Sequence, residues 1–160
     1  MSSRKIGITA ADGQTGRLVA ELLLSDQFSQ KYSTLSLFAM DPSKCKHLQD
    51  TGGSDKVHVL PLTADPKKLL ESLKTEGCDT MFLIPPAVKE KFKIIEEVVS
   101  AAGKLKSVQN VVLLSSAGCD VAERDKQPGL RQFVDMEALV MNAKGETAMG
   151  STGHSPCIIR

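Results

Sequence analysis

Apolar positions along the chain fall into two alternating kinds of pattern. Short, nearly continuous apolar runs occupy Lys5 to Thr9, Thr34 to Met40, Thr80 to Ile84, Asn110 to Ser115 and Pro156 to Arg160, and Val57 to Pro61 alternates. Runs of this length predict strands, and residues that are apolar on successive positions predict strands covered on both faces. Between them lie stripes of helical period. The first is Leu18, Val19, Leu22 and Leu23, which predicts a helix over Gln14 to Ser25 with that face toward a sheet. Leu69, Leu70 and Leu73 form the next, then Val88, Phe92, Ile95, Val98, Val99 and Ala102, then Leu130, Phe133, Val134, Met136, Leu139 and Val140.

The punctuation between these patterns agrees with them. Asp41-Pro42 and Asp65-Pro66 each read as an N-cap followed by the first helical residue. The first starts a short helix through Leu48 that ends before Gly52-Gly53, and Gly77 closes the second. Tyr32 falls in an early polar linker, 123–129 is a charged, proline-bearing excursion, and 143–153 reads as a loop. Alternating strands and helices predict a single α/β domain over residues 1–160. Its architecture is a Rossmann-type doubly wound parallel sheet, for which right-handed crossovers favour strand order 3-2-1-4-5-6.

The candidate site is the turn that follows the first strand. Gly13 would let the main chain approach a pyrophosphate, and Gly16 would let the helix pack closely on the strand. The amides of Gln14 and Thr15 would point at the phosphate from the helix N-terminus. The first of the three usual glycines is replaced by Ala10, so the turn there either avoids positive φ or accepts strain. In such a sheet the ligand lies beyond the carboxyl ends of the strands. That adds Met40, Asp41 and Lys44 after the second strand, Pro85 and Pro86 after the fourth, and Ser115 after the fifth. Asp41 has two readings, a plain helix N-cap or a contact to a ribose hydroxyl.

Ile8-Thr-Ala-Ala-Asp-Gly-Gln-Thr-Gly-Arg17 resembles the opening of NmrA-like proteins, the atypical branch of the short-chain dehydrogenase/reductase superfamily, which typically reads Thr-Gly-Ala-Thr-Gly-x-x-Gly. Ala10 and Asp12 replace a glycine and a threonine of that pattern. Asp41-Pro-Ser-Lys44, Val111 to Gly118, a helix bearing Glu137, and Cys157-Ile-Ile-Arg160 extend the resemblance over nearly the whole chain. It implies an NAD- or NADP-binding domain whose site includes Ala10, Asp12, Gly13, Gln14, Thr15, Gly16, Met40, Asp41, Lys44, Pro85 and Ser115. Such proteins often carry Arg-Asp-Pro where this chain has Met40-Asp41-Pro42, which weakens NADP, although Lys44 or Arg17 could supply positive charge. The family's C-terminal substrate-covering region is absent from the sequence. The resemblance therefore implies either a shortened family member or a natural cofactor-binding stub.

Composition narrows the partners. A formal net charge of +1, with both signs interspersed, gives no basic stripe for nucleic acid. No run approaches the roughly 18 apolar residues of a membrane span, and the N-terminus leads into a strand rather than a signal-peptide core, so the cytoplasm is the expected location. Cys45, Cys78, Cys119 and Cys157, and His47, His58 and His154, are scattered without metal-ligand spacing.

The chemistry at the fifth strand is the most informative departure. Typical short-chain dehydrogenases pair a serine at the position of Ser115 with Tyr-x-x-x-Lys on the next helix, where the tyrosine transfers a proton and the lysine lowers its pKa. This chain offers Phe133-x-x-x-Glu137 instead. Cys119 has two readings, an exposed thiol near the nicotinamide end or an inert cysteine. Three functions remain open: a dinucleotide-binding redox sensor acting through a protein partner, an NAD(P)H-dependent quinone or carbonyl reductase, and a scaffold that has lost its ligand.

Overall fold

The computed structural model describes residues 4–143 and 155–160. Six strands, β1 (Arg4–Thr9), β2 (Tyr32–Ala39), β3 (Val57–Pro61), β4 (Thr80–Leu83), β5 (Asn110–Leu114) and β6 (Ser155–Ile159), form one sheet in the order β3-β2-β1-β4-β5-β6. Every neighbouring pair is parallel. Five α-helices connect them: α1 (Gln14–Leu24), α2 (Lys46–Gly52), α3 (Pro66–Glu76), α4 (Lys91–Gly103) and α5 (Pro128–Asn142). The expected strand order is the one observed. Most of the expected 143–153 loop lies outside the described residues.

The sheet is buried where its strands are apolar on both faces. Ile8, Leu35, Leu37, Phe38, Val57, Met81, Val111 and Leu113 have no accessible surface, and α4 adds Ile95 and Val98 to the same core. Both Asp-Pro pairs begin helical turns. Asp65 accepts hydrogen bonds from the amides of Lys67 and Lys68, and Asp41 accepts from Ser43, with Pro66 and Pro42 behind them. The segment after Asp41 first makes a 3-10 turn, Pro42–Cys45, and continues as α2 past Leu48 to Gly52.

Three expectations fail for reasons of packing. Leu18 and Leu22 do not face the sheet; they are 53% and 55% exposed. The face of α1 that meets the sheet is instead built on Gly16 and Ala20, small residues that let the helix approach closely, with Val19, Leu23 and Leu24 at its margins. Tyr32 is not in a linker. It opens β2, is buried, and its hydroxyl donates to the Leu23 carbonyl at 3.0 Å, tying β2 to the end of α1. Val88 stands outside α4, which begins three residues later at Lys91.

Candidate functional site

At the carboxyl end of β1 the chain is pinned before it turns. The Thr9 hydroxyl is fully buried, donates to the Ile84 carbonyl at 2.9 Å and accepts from the Ile84 amide at 2.8 Å. This pair of bonds joins β1 to the segment after β4, the two strands between which the order of the sheet reverses. The chain then enters Ala10 at φ 49, the one non-glycine residue among those described with positive φ. The turn accepts the left-handed conformation rather than avoiding it, and the Ala10 carbonyl accepts from the Gly13 amide at 3.0 Å.

The next contact makes Gly16 obligatory. A Cβ on Gly16 would lie 2.1 Å from the Ala10 carbonyl oxygen and 2.8 Å from the Ala11 Cα. Only a residue without a side chain lets α1 start this close to the turn. Gly13 is the N-cap of α1, with no side-chain cap and no acidic residue in the first turn. The amides of Gln14, Thr15 and Gly16 therefore have no intrahelical acceptor and carry the positive end of the helix dipole.

These amides open on a cleft of about 510 Å³. Three segments line it: Ala10 with 12–16 after β1, Met40 and Lys44 after β2, and 84–88 after β4. Other hollows of similar or larger size lie between α4 and α5, beside β6, and at the starts of α4 and α5, but none of them is lined by the turn after β1. Of the residues expected at the site, Ala10, Asp12, Gly13, Gln14, Thr15, Gly16, Met40, Lys44 and Pro85 share this cleft. Asp41 and Ser115 are not among its lining residues. Ile84, Ala87 and Val88 join it without having been expected, and the Pro85-Pro86 pair, which delays the start of α4, was their signal in the sequence.

Electrostatics differ between the two ends of the cleft. Near β2, the Asp12 carboxylate accepts from the amides of Met40 and Asp41, each at 3.0 Å. Asp41 turns to Ser43, whose hydroxyl donates at 2.6 Å and whose amide donates at 3.2 Å, and these bonds hold its carboxyl below the usual range. The N-cap reading of Asp41 thus has its geometry. Behind them the buried Cys45 thiol is pushed up to about 11, first by burial and then by the charges of Asp12 and Asp41.

No protein-family model matches the chain, and no curated protein matches it by sequence. Solved structures do match. An NADPH-dependent quinone oxidoreductase from Escherichia coli, complexed with NADPH, aligns over 97% of this chain and 48% of its own at 21% identity and a TM-score of 0.71. A triphenylmethane reductase from Citrobacter sp., complexed with NADP(H), aligns over 87% and 46% at 19% identity, with a TM-score of 0.66. The Bordetella bronchiseptica enzyme WbmH, in complex with NAD+, aligns over 88% and 52% at 18% identity, with a TM-score of 0.64. At these identities the likeness establishes the fold. The chain spans about half the length of each of the three.

The residues after β5 form a separate, closed constellation. Ser115 donates to Glu137 Oε1 at 2.5 Å, the Cys119 thiol lies 3.4 Å from the same oxygen, and Arg160 holds both carboxylate oxygens. Ser115 is a satisfied loop hydroxyl, and Cys119 is buried rather than exposed. Phe133 lies on α5, outside the cleft, with the Lys91 ammonium 4.9 Å over its ring. Elsewhere, Glu76 accepts from Ser36 at 2.6 Å and meets His58 at 2.7 Å, a bracket between β2, β3 and the end of α3. Among the described residues no group of His, Cys, Asp and Glu could hold a metal, and no helix is long and apolar enough to cross a membrane.

Proposed function

We propose that the chain is an NmrA-like domain that binds a nicotinamide dinucleotide and serves redox sensing through a protein partner. The observation that carries this reading is the uncapped start of α1. Three amides without intrahelical acceptors open into a cleft at the point where the strand order reverses. A pyrophosphate supplies the acceptors those amides need, and Gly16 keeps the backbone close enough to deliver them. The cofactor-bearing neighbours support the same assignment through the shared fold.

When bound, the dinucleotide supplies a transferable hydride at its nicotinamide. The chain's own part is positional: 13–16 hold the pyrophosphate, Asp12, Met40 and Lys44 receive the adenosine end, and Pro85 and Pro86 form a stiff wall. The sensing role is favoured over catalysis because the Ser115 hydroxyl is committed to Glu137, itself held by Arg160, and Phe133 has no proton to transfer.

A second reading, an NAD(P)H-dependent quinone or carbonyl reductase, is supported by the fold neighbour named as an NADPH-dependent quinone oxidoreductase. Hydride transfer depends more on geometry than on side-chain chemistry. Titration with NADH and NADPH, followed by nicotinamide fluorescence, tests binding, and silence toward both at millimolar concentration would leave only a scaffold. Oxidation of the bound cofactor by a panel of small quinones would then favour the reductase over the sensor.

A further inference from the structure

We infer that Asp12 makes the adenosine end of the cleft selective for a cofactor with a free ribose 2′-hydroxyl, NAD(H) over NADP(H). The inference rests on the dinucleotide reading above and deepens it.

Two consecutive backbone amides, those of Met40 and Asp41, converge on one carboxylate, with Oδ1 and Oδ2 each taking one at 3.0 Å. Paired amides at the end of a strand are donors suited to an anion. In this fold the end of the second strand is where the ribose 2′-position is read. Here that donor pair is already filled by an anion belonging to the chain. A 2′-phosphate would have to displace Asp12 and strand its charge, or stand beside it with like charge. A 2′-hydroxyl meets the opposite situation. It brings a proton, and a carboxylate accepting one amide at each oxygen retains lone pairs to receive it.

The surroundings reinforce the sign. Asp41 places a second carboxylate at the same strand end, held by Ser43. Burial first, and then the charges of Asp12 and Asp41, push the Cys45 thiol up. Lys44 is the one cation among the described residues lining the cleft, and it is exposed, so its charge is well screened by solvent. Met40 contributes a thioether, which offers a phosphate nothing.

The test is a titration of the wild-type chain with NADH and NADPH by nicotinamide fluorescence, at low and at high salt, followed by the same for Asp12→Asn. At low salt NADH is expected to bind at least about 30-fold more tightly than NADPH, since a like-charge contact at short range is being avoided. The ratio should shrink in high salt, because the discrimination is electrostatic. Asp12→Asn, which keeps the shape of the side chain, should bring the ratio below about fivefold, mainly by improving NADPH binding. Equal or tighter binding of NADPH by the wild-type chain overturns the inference while leaving dinucleotide binding intact. A ratio unchanged by salt, or unchanged in a folded Asp12→Asn, overturns the assignment to Asp12. Binding of neither cofactor overturns both readings.

Discussion

Arg160 grips Glu137 at two points, Nε on Oε1 at 2.9 Å and Nη2 on Oε2 at 2.7 Å, and so fastens the end of β6 to the middle of α5. The arginine first, then the Ser115 hydroxyl and the Cys119 thiol, outweigh burial and bring the Glu137 carboxyl down to about 2. A carboxylate depressed in the folded state stabilises the fold fully above its unfolded pKa and loses that contribution as pH falls. The window here runs from about 4.5 down to about 2. With Arg160 half-exposed and its charge screened, the loss across that window is expected to be about 1–2 kcal/mol. Urea unfolding at pH 7, 4 and 3 should show it in the wild-type chain and not in Glu137→Gln; parallel losses in the two would place the acid sensitivity elsewhere.

Tyr32→Phe isolates a single buried hydrogen bond. The ring stays, with Lys56 4.4 Å from its centroid, and only the bond to the Leu23 carbonyl is lost. That carbonyl lies at the end of α1, where intrahelical donors run out. The expected cost is about 1–2 kcal/mol, read as a lower urea midpoint at unchanged slope. No change in midpoint would mean that water replaces the hydroxyl.

What the sequence made legible was whatever is local or periodic. The six apolar runs, both Asp-Pro starts and the glycine turn each depend on neighbours within a few residues, and the strand order follows from connection rules. What it hid depends on contacts across the chain. Tyr32 looks like linker because its neighbours are polar; its burial comes from Leu23 and the packing of α1 on β2. Counting large apolar residues on α1 selected Leu18 and Leu22, whereas close packing is decided by the smallest ones, Gly16 and Ala20. The same holds at the site. The residues of the glycine turn that line the cleft were readable from spacing, but the bonds of Asp12 to Met40 and Asp41, of Thr9 to Ile84, and of Glu137 to Ser115 and Arg160 join segments with no pattern in common.

Ala10 and Ala20 are both buried alanines, yet glycine should affect them differently. At Ala20, inside α1, Ala20→Gly loses a buried methyl and helix propensity together, about 2 kcal/mol. At Ala10 the left-handed backbone, φ 49, disfavours any Cβ by about 1–2 kcal/mol, which offsets the methyl and the chain entropy. Ala10→Gly is therefore expected to stay within about 1 kcal/mol of the wild type. Thermal unfolding of the pair measures the contrast, and equal losses would show that the turn relaxes without strain.

Gly16 and Gly13 separate folding from binding. At Gly16 an added Cβ meets backbone on every side, the Ala10 carbonyl at 2.1 Å and the Ala11 Cα at 2.8 Å, and backbone pinned by Thr9 cannot withdraw. Gly16→Ala should destabilise by about 3 kcal/mol, near the upper range for overpacking, and abolish cofactor binding with the turn. At Gly13 the Cβ would reach only the Ala10 oxygen, at 3.3 Å, and the backbone has φ −81, open to any residue. Gly13→Ala should therefore cost less than about 1 kcal/mol. Its methyl nonetheless sits at the N-cap, where a pyrophosphate would approach the amides, so binding should weaken at least about tenfold. Denaturation and cofactor titration of the two variants check both halves. A Gly13→Ala protein that is folded and binds as tightly as the wild type would remove the pyrophosphate from this turn.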